Sequence, residues 1–232
     1  MKYAGAELEI FQHARNWKRY FAAHLKPFVQ GSVLDVGCGM GVNAEFLVNE
    51  EVTSYTFLEP DRALLDMVEA NISSPLLLTG ERICGTTADI PKKRFDTILY
   101  LDVIEHIEDS KEELQRAYDL LEPGGHLLIL VPAFNFLYSP FDKAIGHHRR
   151  YDKGILRTEL PADLERIRTR YLDSLGLLLS LGNKVFLKQV EPKLEQIQFW
   201  DRTVVPLSRI ADKLVMHAFG RSLLSVSRKS LV

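Results

Sequence analysis

The sequence is short of cysteine, of long apolar runs and of net charge, and each shortage removes a class of protein. Its two cysteines, Cys38 and Cys84, lie far apart with no CxxC spacing. They read as free thiols in a reducing compartment, neither a disulfide framework nor a zinc site. No stretch reaches the roughly 18 consecutive apolar residues that argue for a membrane span. The opening "MKYAGAELEIFQHARNWKRY" is charged throughout and lacks the apolar centre of a signal peptide, so a cytoplasmic protein is expected. Basic and acidic side chains number 29 and 31, a formal charge of −2. A duplex-binding protein usually carries a basic excess on one face, so no nucleic-acid partner is expected. Repeats, low-complexity tracts and Pro/Gly/Ser linkers are also missing. What remains is a chain of 232 residues with 46% hydrophobic content, enough for one full core and an appended lid.

Along that chain, strand-like and helix-like segments alternate. Ile10, Ala14, Trp17, Phe21 and Leu25 fall at helical spacing, which predicts an amphipathic helix over 5–25, ending before Pro27. Candidate strands follow at 32–36, 54–59, 82–88, 95–101 and 126–132, with helices at 42–50, 61–71 and 110–121. The last helix is expected to stop at "EPGG", where proline and glycine forbid continuation. Apolar strands alternating with helices argue for an α/β fold with a mostly parallel sheet covered on both faces. From residue 133 the pattern breaks into "AFNFLYSPFDKAIGHHRRYDKG", read as an insertion over the ligand site through 160. The tail returns to structure, with a strand at "ERIRTRYLDS", helices over 175–187 and 193–215, and a last strand at 222–229, which brings the sheet to seven strands. The chain thus divides into an N-terminal helix (1–28), a binding core (30–132), a lid and substrate region (133–215) and a final strand (216–232).

"VLDVGCGMG", residues 33–41, closes the first strand with glycine at every second position. A dinucleotide fingerprint would want GxGxxG, and Val42 stands where its third glycine belongs. No GK[ST] follows, so this is not a phosphate-binding P-loop either. Three acids accompany the turn. Asp35 would repel a pyrophosphate and attract an ammonium group. Glu59, in "FLEPD", closes the second strand where it could accept hydrogen bonds from both hydroxyls of a ribose. Asp89, in "TADIP", follows the third strand, within reach of an adenine amino group. Together they describe a ligand with an amino-acid end, a ribose and an adenine, and no phosphate. S-adenosylmethionine has those parts.

The same segments, in the same order, resemble the motifs of class I S-adenosylmethionine-dependent methyltransferases. "VLDVGCGMG" resembles the first motif, "LEPD" the second and "TADIP" the third, while "FDTILYLDVIEHIED" and "LLEPGGHLLILVP" resemble the fourth and fifth strands. The resemblance covers about residues 30 to 132 and implies a Rossmann-like fold. It also implies that Gly37, Gly39 and Gly41 admit the methionine portion, with Asp35 supporting its ammonium. Glu59 and Asp61 would then hold the ribose, Asp89 and Ile90 flank the adenine, and Asp102 border the methionine moiety. The flanks, "ELEIFQHARNWKRY", "LYSPFDKAIGHHRRY" and "FWDRTVVPLSRIADK", look like bacterial methyltransferases that accompany family 2 glycosyltransferases. This implies a small-molecule or lipid-linked saccharide acceptor, methyl transfer to oxygen, and a glycosyltransferase partner.

Methyl transfer to a hydroxyl needs a group to take its proton. The catalytic candidates are His106 in "VIEHIED", His147 and His148 in "GHHRRY", and Tyr151 beside them. Arg149 and Arg150 are the expected substrate-binding pair, for a carboxylate or phosphate. A metal site from His147, His148 and Asp142 is disfavoured, so none is expected. N- or C-methylation of another metabolite, and a non-catalytic cofactor-binding partner of a glycosyltransferase, remain as alternatives. Finally, "LGLLLSLGNKVFL" (175–187) is too short for a bilayer span. It reads either as a core helix or as an apolar surface of Leu175, Leu178, Leu179 and Phe186, flanked by Lys184 and Lys188, making weak peripheral membrane contact.

Overall fold

The computed structural model describes residues 11–90, 93–184 and 193–231. Its sheet has seven strands: β1 (Gly31–Val36), β2 (Val52–Glu59), β3 (Glu81–Cys84), β4 (Phe95–Leu101), β5 (Leu121–Pro132), β6 (Leu164–Leu172) and β7 (Ser222–Lys229). Their order across the sheet is 3-2-1-4-5-7-6, and only β7 runs antiparallel to its neighbours. This is the expected mostly parallel, Rossmann-like sheet. The order reverses between β1 and β4, and a crevice forms there beyond the strand C-termini.

Alternation along the strands divides the core in two. Val33, Tyr55, Phe57, Leu99 and Leu128 face a layer made by α1 (Arg15–Leu25) and the C-terminal helices. Leu34, Leu58, Ile98, Tyr100 and Ile129 face the opposite layer, where α6 (Ser110–Leu120) and α8 (Lys153–Glu159) pack. Short helices α2 (Ala44–Leu47), α3 (Arg62–Asp66), α4 (Val68–Asn71) and α5 (Pro75–Leu78) add Ala44, Leu47, Leu65, Val68 and Leu77 to the first layer, and α7 (Pro140–Ala144) follows β5. The C-terminal layer comprises α9 (Ser174–Gly182), α10 (Leu194–Phe199) and α11 (Val205–Leu214).

Several expected boundaries shift for local reasons. The described part of the first helix starts at Arg15, after a turn at 12–13, and residues 1–10 lie outside the described set. β3 stops at Cys84 because Thr86 and Asp89 form a reciprocal capping box that turns the chain into a 3-10 segment, Thr87–Asp89. β5 begins at Leu121, before "EPGG", and Gly124 at φ 82° takes up the shift in its pairing with β4. The helix expected over 42–50 is a single turn, and that over 61–71 breaks at Met67. The helix expected over 193–215 contains a π-turn, Trp200–Val204, in which the Val205 N–H reaches back to the Trp200 carbonyl. Pro206 follows with no N–H to give, and the wider turn absorbs that missing bond.

Candidate active site

Three loops meet at the reversal point. The turn after β1 carries Gly37, Gly39 and Gly41 at φ 62°, 55° and 74°, a left-handed run that side chains disfavour. A Cβ on Gly37 would lie 2.8 Å from the Val103 side chain, so this glycine also lets the turn close against the loop after β4. Cys38 is buried and Cys84 exposed, and both are free thiols.

Acids line the floor beneath and beside this turn. Asp35 is only 2% exposed and accepts a hydrogen bond from the Tyr55 hydroxyl at 2.9 Å. Burial pushes its carboxyl up to about 7, with Glu59 adding to the shift and Tyr55 opposing it. Glu59 accepts from the backbone N–H of Gly39 at 2.9 Å and of Asp61 at 3.0 Å, which ties the end of β2 to the glycine turn. Its carboxyl is also raised by burial, against those two backbone donors. Asp61 itself caps α3 through the Ala63 N–H at 2.9 Å. Asp89 is exposed, one of its oxygens accepting from the N–H and hydroxyl of Thr86, and Ile90 packs half-buried against the second core layer. A cavity of about 470 Å³ opens beside Val42, bounded by Arg15, Asn71, Asp201 and Arg202.

The loop after β4 starts at Asp102, a non-glycine residue at φ 58°. Its side chain is reached by solvent yet ringed by His147, Lys18 and Arg221, as befits a cleft floor. Burial beneath the surrounding protein raises its carboxyl to about 6, opposed by the neighbouring His147, Lys18 and Arg221. Lys18 comes from α1 and donates to the Phe11 carbonyl at 2.8 Å; burial lowers its ammonium to about 8. Arg221 stacks over Trp200 at 4.9 Å.

Glu105 and His106 follow in a 3-10 turn, and the segment after β5 brings His147 against them. The His106 and His147 rings meet edge to face at 4.5 Å. Burial, with His147 beside it, lowers the His106 imidazole to about 4. His147 is held from behind: its Nδ1 lies 3.0 Å from an Asp142 oxygen, and Asp142 is gripped by Arg150 through two bonds of 2.8 and 3.0 Å. Although burial opposes it, these bonds and that from Ser139 hold the Asp142 carboxyl well below its usual range. Nε2 of His147 faces Glu105 Oε1 at 3.9 Å.

The remaining candidates go elsewhere. His148 is exposed, and its backbone N–H donates to the Glu105 carbonyl at 2.8 Å. Tyr151 is at 0% exposure in the second core layer, with its hydroxyl 3.4 Å from the Ile104 carbonyl. The arginine pair is likewise committed within the protein. Arg149 donates to the Ile107 and Glu108 carbonyls and to Ser110, and Arg150 clamps Asp142. The trio of His147, His148 and Asp142 does not converge as ligands. Among the described residues, the donors that do are Glu105, His106 and His147, with ligand atoms within 4.8 Å of one another. Sequence reasoning passed over Glu105, although it adjoins His106, and over Lys18 and Arg221, which no local pattern marks.

Comparison with known proteins adds the context. The family described as "Methyltransferase domain" matches residues 10–179. A ubiquinone biosynthesis O-methyltransferase of Rhodopseudomonas palustris is 26% identical over 160 residues, 63% of this chain and 61% of that protein. The match thus spans about three fifths of that relative's length. The N-methyltransferase NodS of Bradyrhizobium japonicum, solved with S-adenosyl-L-homocysteine, aligns over 94% of this chain and 87% of its own at 14% identity, with TM-score 0.57. The [4+2]-cyclase SpnF aligns over 94% of this chain and 82% of its own at 16% identity, with TM-score 0.60. Fold likeness at these identities reaches proteins named for different reactions.

Proposed function

The chain belongs to the methyltransferase-domain family, and from that premise we propose that it methylates an oxygen of a small-molecule or lipid-linked saccharide acceptor, with S-adenosylmethionine as methyl donor. The observation that carries this reading is the chemistry of the crevice: a bare glycine turn underlain by Asp35, Glu59 and Asp102. Acids there suit a cationic ligand with a ribose diol and oppose a dinucleotide's pyrophosphate. Relatives named as O-methyltransferases support oxygen as the atom modified.

When bound, S-adenosylmethionine supplies a methyl group made electrophilic by its sulfonium. Gly37, Gly39 and Gly41 would let backbone approach it closely. Asp35 and Asp102 would favour its cationic methionine end, and Lys18 would close the cleft from α1. Glu59 retains lone pairs for ribose hydroxyls beyond those its two backbone donors use. Asp61, Asp89 and Ile90 would border the nucleoside. Holding the acceptor oxygen near the methyl carbon can lower the barrier by as much as about 7–11 kcal/mol. The acceptor hydroxyl would be met at the cluster of Glu105, His106 and His147. The apolar residues Leu178 and Leu179, 56% and 50% exposed, support a lipid-linked acceptor approached from a membrane surface.

Calorimetry with S-adenosylhomocysteine and with NAD, followed by transfer of labelled methyl from S-adenosylmethionine to lipid-linked saccharides and to simple hydroxylic metabolites, tests the reading. Binding of the first ligand and not of NAD is expected. Glu59→Ala should weaken binding by at least about 1.5 kcal/mol, the lower range for a charged hydrogen bond. Unchanged affinity in the variant removes the cofactor assignment. Binding with no label in any acceptor leaves a non-catalytic cofactor-binding protein.

A further inference from the structure

The buried carboxylate of Glu105 is the least explained group in the molecule. It is 0% exposed, and neither of its side-chain oxygens has a hydrogen-bond partner in the structure. A buried ionised group without a partner costs several kcal/mol, and even a neutral carboxyl loses about 1–3 kcal/mol when left unsatisfied. Arg150, the cation whose field favours its ionised form, is already clamped to Asp142.

The surroundings of Glu105 are ordered in a way that would suit an ion. His106 follows directly, and its ring hydrogen-bonds backbone at Ile145 and Gly146, which fixes its orientation. His147 is fixed by Asp142 at Nδ1, leaving Nε2 turned to Glu105 at a separation too long for a hydrogen bond. A carboxylate behind a histidine, itself held by a second group, is the outer support that metal-bound imidazoles require. Two imidazoles and one carboxylate are a donor set for transition metals, whereas magnesium and calcium prefer oxygen alone. Ligand atoms within 4.8 Å of one another would need only small movements to stand about 2.0–2.2 Å from a common ion.

We propose that Glu105, His106 and His147 bind one divalent transition-metal ion of the zinc, cobalt or manganese class. This revises the expectation of no metal, which weighed His147 with His148 and Asp142. The three protein ligands leave coordination positions open, and Asp102 stands at the solvent-reached edge of the same loop. Resting on the proposed methyl transfer, the ion's role is to coordinate the acceptor hydroxyl and lower its pKa. The O–H bond then breaks with its electron pair kept on oxygen, and the proton leaves to water in the cleft. That oxygen pair forms the new O–CH3 bond as the S–CH3 pair returns to sulfur.

The test uses the whole protein dialysed against chelator, titrated with Co²⁺ and followed by its visible absorption, with Zn²⁺ competition by calorimetry. One equivalent should bind with a low-symmetry cobalt spectrum, and Zn²⁺ should displace it. Glu105→Gln and His147→Gln should each weaken binding at least about tenfold, while His148→Gln leaves it unchanged. S-adenosylhomocysteine binding, measured on every variant, should survive in all three and reports that each is folded. No cobalt spectrum, or binding indifferent to both ligand variants, overturns the metal site without touching the methyltransferase reading. A variant that also loses S-adenosylhomocysteine is replaced by the milder Glu105→Asp, where an altered cobalt spectrum is required for the proposal to stand.

Discussion

At the scale of single residues, charge placement explains more than hydrophobic pattern does. Asp35 is held as an acid near neutrality: burial lifts its pKa to about 7, above the roughly 3.9 of an unfolded aspartate. The folded state therefore keeps this proton longer. Asp35's contribution to stability is complete below about pH 4 and is lost as pH rises through about 7, at up to about 1.4 kcal/mol per pH unit. Asp35→Asn cannot ionise and still offers an oxygen to Tyr55. In ligand-free protein its thermal midpoint should change less than the parent's between pH 5 and 8, and at pH 8 it should be the more stable of the two. Parallel pH curves would show that Asp35 is already ionised in the fold. The placement of these acids was legible in the sequence: Asp35 and Glu59 stand in strands beside the glycine turn, where the structure has them, and their roles toward a ligand belong to the proposed function. Glu105 was not, because its meaning lies in a buried carboxylate left without a hydrogen bond, and a sequence prints neighbours in the chain rather than in space. The partners of Tyr151, Arg149 and Arg150 were hidden for the same reason, since nothing in "GHHRRY" shows that Ile104, Ser110 and Asp142 meet these side chains.

Elements supply the next constraint, and α1 shows it best. Its own N-cap position is Ala14, which offers no side-chain acceptor. Asp201, in the π-turn before α11, takes over, accepting from the N–H groups of Trp17 at 2.8 Å and Asn16 at 3.1 Å. A cap from across the molecule thus fixes the helix that carries Lys18. Asp201→Ala should cost about 0.5–2 kcal/mol of unfolding free energy, as loss of a cap does. It should also weaken S-adenosylhomocysteine binding by loosening α1. Urea denaturation and calorimetry on the same variant check both, and an unchanged affinity would mean that α1 plays no part in closing the cleft. Asp212 does similar work inside the C-terminal layer, accepting from the Tyr20 hydroxyl and from the N–H groups of Asp173 and Ser174. Strand identity was readable because short, mostly apolar runs recur between helix-like segments, as strands buried on both faces require. Helix lengths after β1 and β2 were not, because the chain there follows the crevice, and turns set by Gly41 and Met67 override periodicity. The π-turn was visible only as Pro206, which forbids a regular helix without saying how the ladder adapts.

The glycine turn joins element to element, and its tolerance can be measured. Gly37 sits at φ 62° with Val103 where a Cβ would go. Gly37→Ala therefore strains the backbone and pushes the loops after β1 and β4 apart. Residues held in such sparsely populated backbone regions cost about 1–3 kcal/mol. The variant should lose that much stability and, with the crevice displaced, most of its affinity for S-adenosylhomocysteine. A stable variant with parental affinity would mean that Val103 moves aside freely and that the close approach is incidental.

For the whole molecule, the open question is where the acceptor is met. Among the described residues no helix is long and apolar enough to cross a membrane. Of the apolar surface expected from 175–187, Leu175 packs on the core, Leu178 and Leu179 are exposed, and Phe186 and Lys188 lie outside the described residues. Lys184 donates to the Phe136 carbonyl, which sets the end of α9 against the segment that follows β5. Phe136 is itself exposed, and α11 adds Leu207, Ile210 and Leu214 on one face beside Arg209 and Lys213. Each leucine, if fully buried in lipid, contributes about 1.5–3 kcal/mol, and each nearby cation about 1 kcal/mol towards anionic headgroups. A handful of partly inserted side chains therefore gives weak, reversible attachment. Sedimentation with anionic vesicles should carry down part of the protein at low salt and little at high salt, and Leu178→Glu with Leu179→Glu should abolish the effect while S-adenosylhomocysteine still binds. Equal sedimentation by parent and double variant would move the contact to the α11 face. No sedimentation at low salt would remove the membrane from the reaction and leave an acceptor that arrives through water.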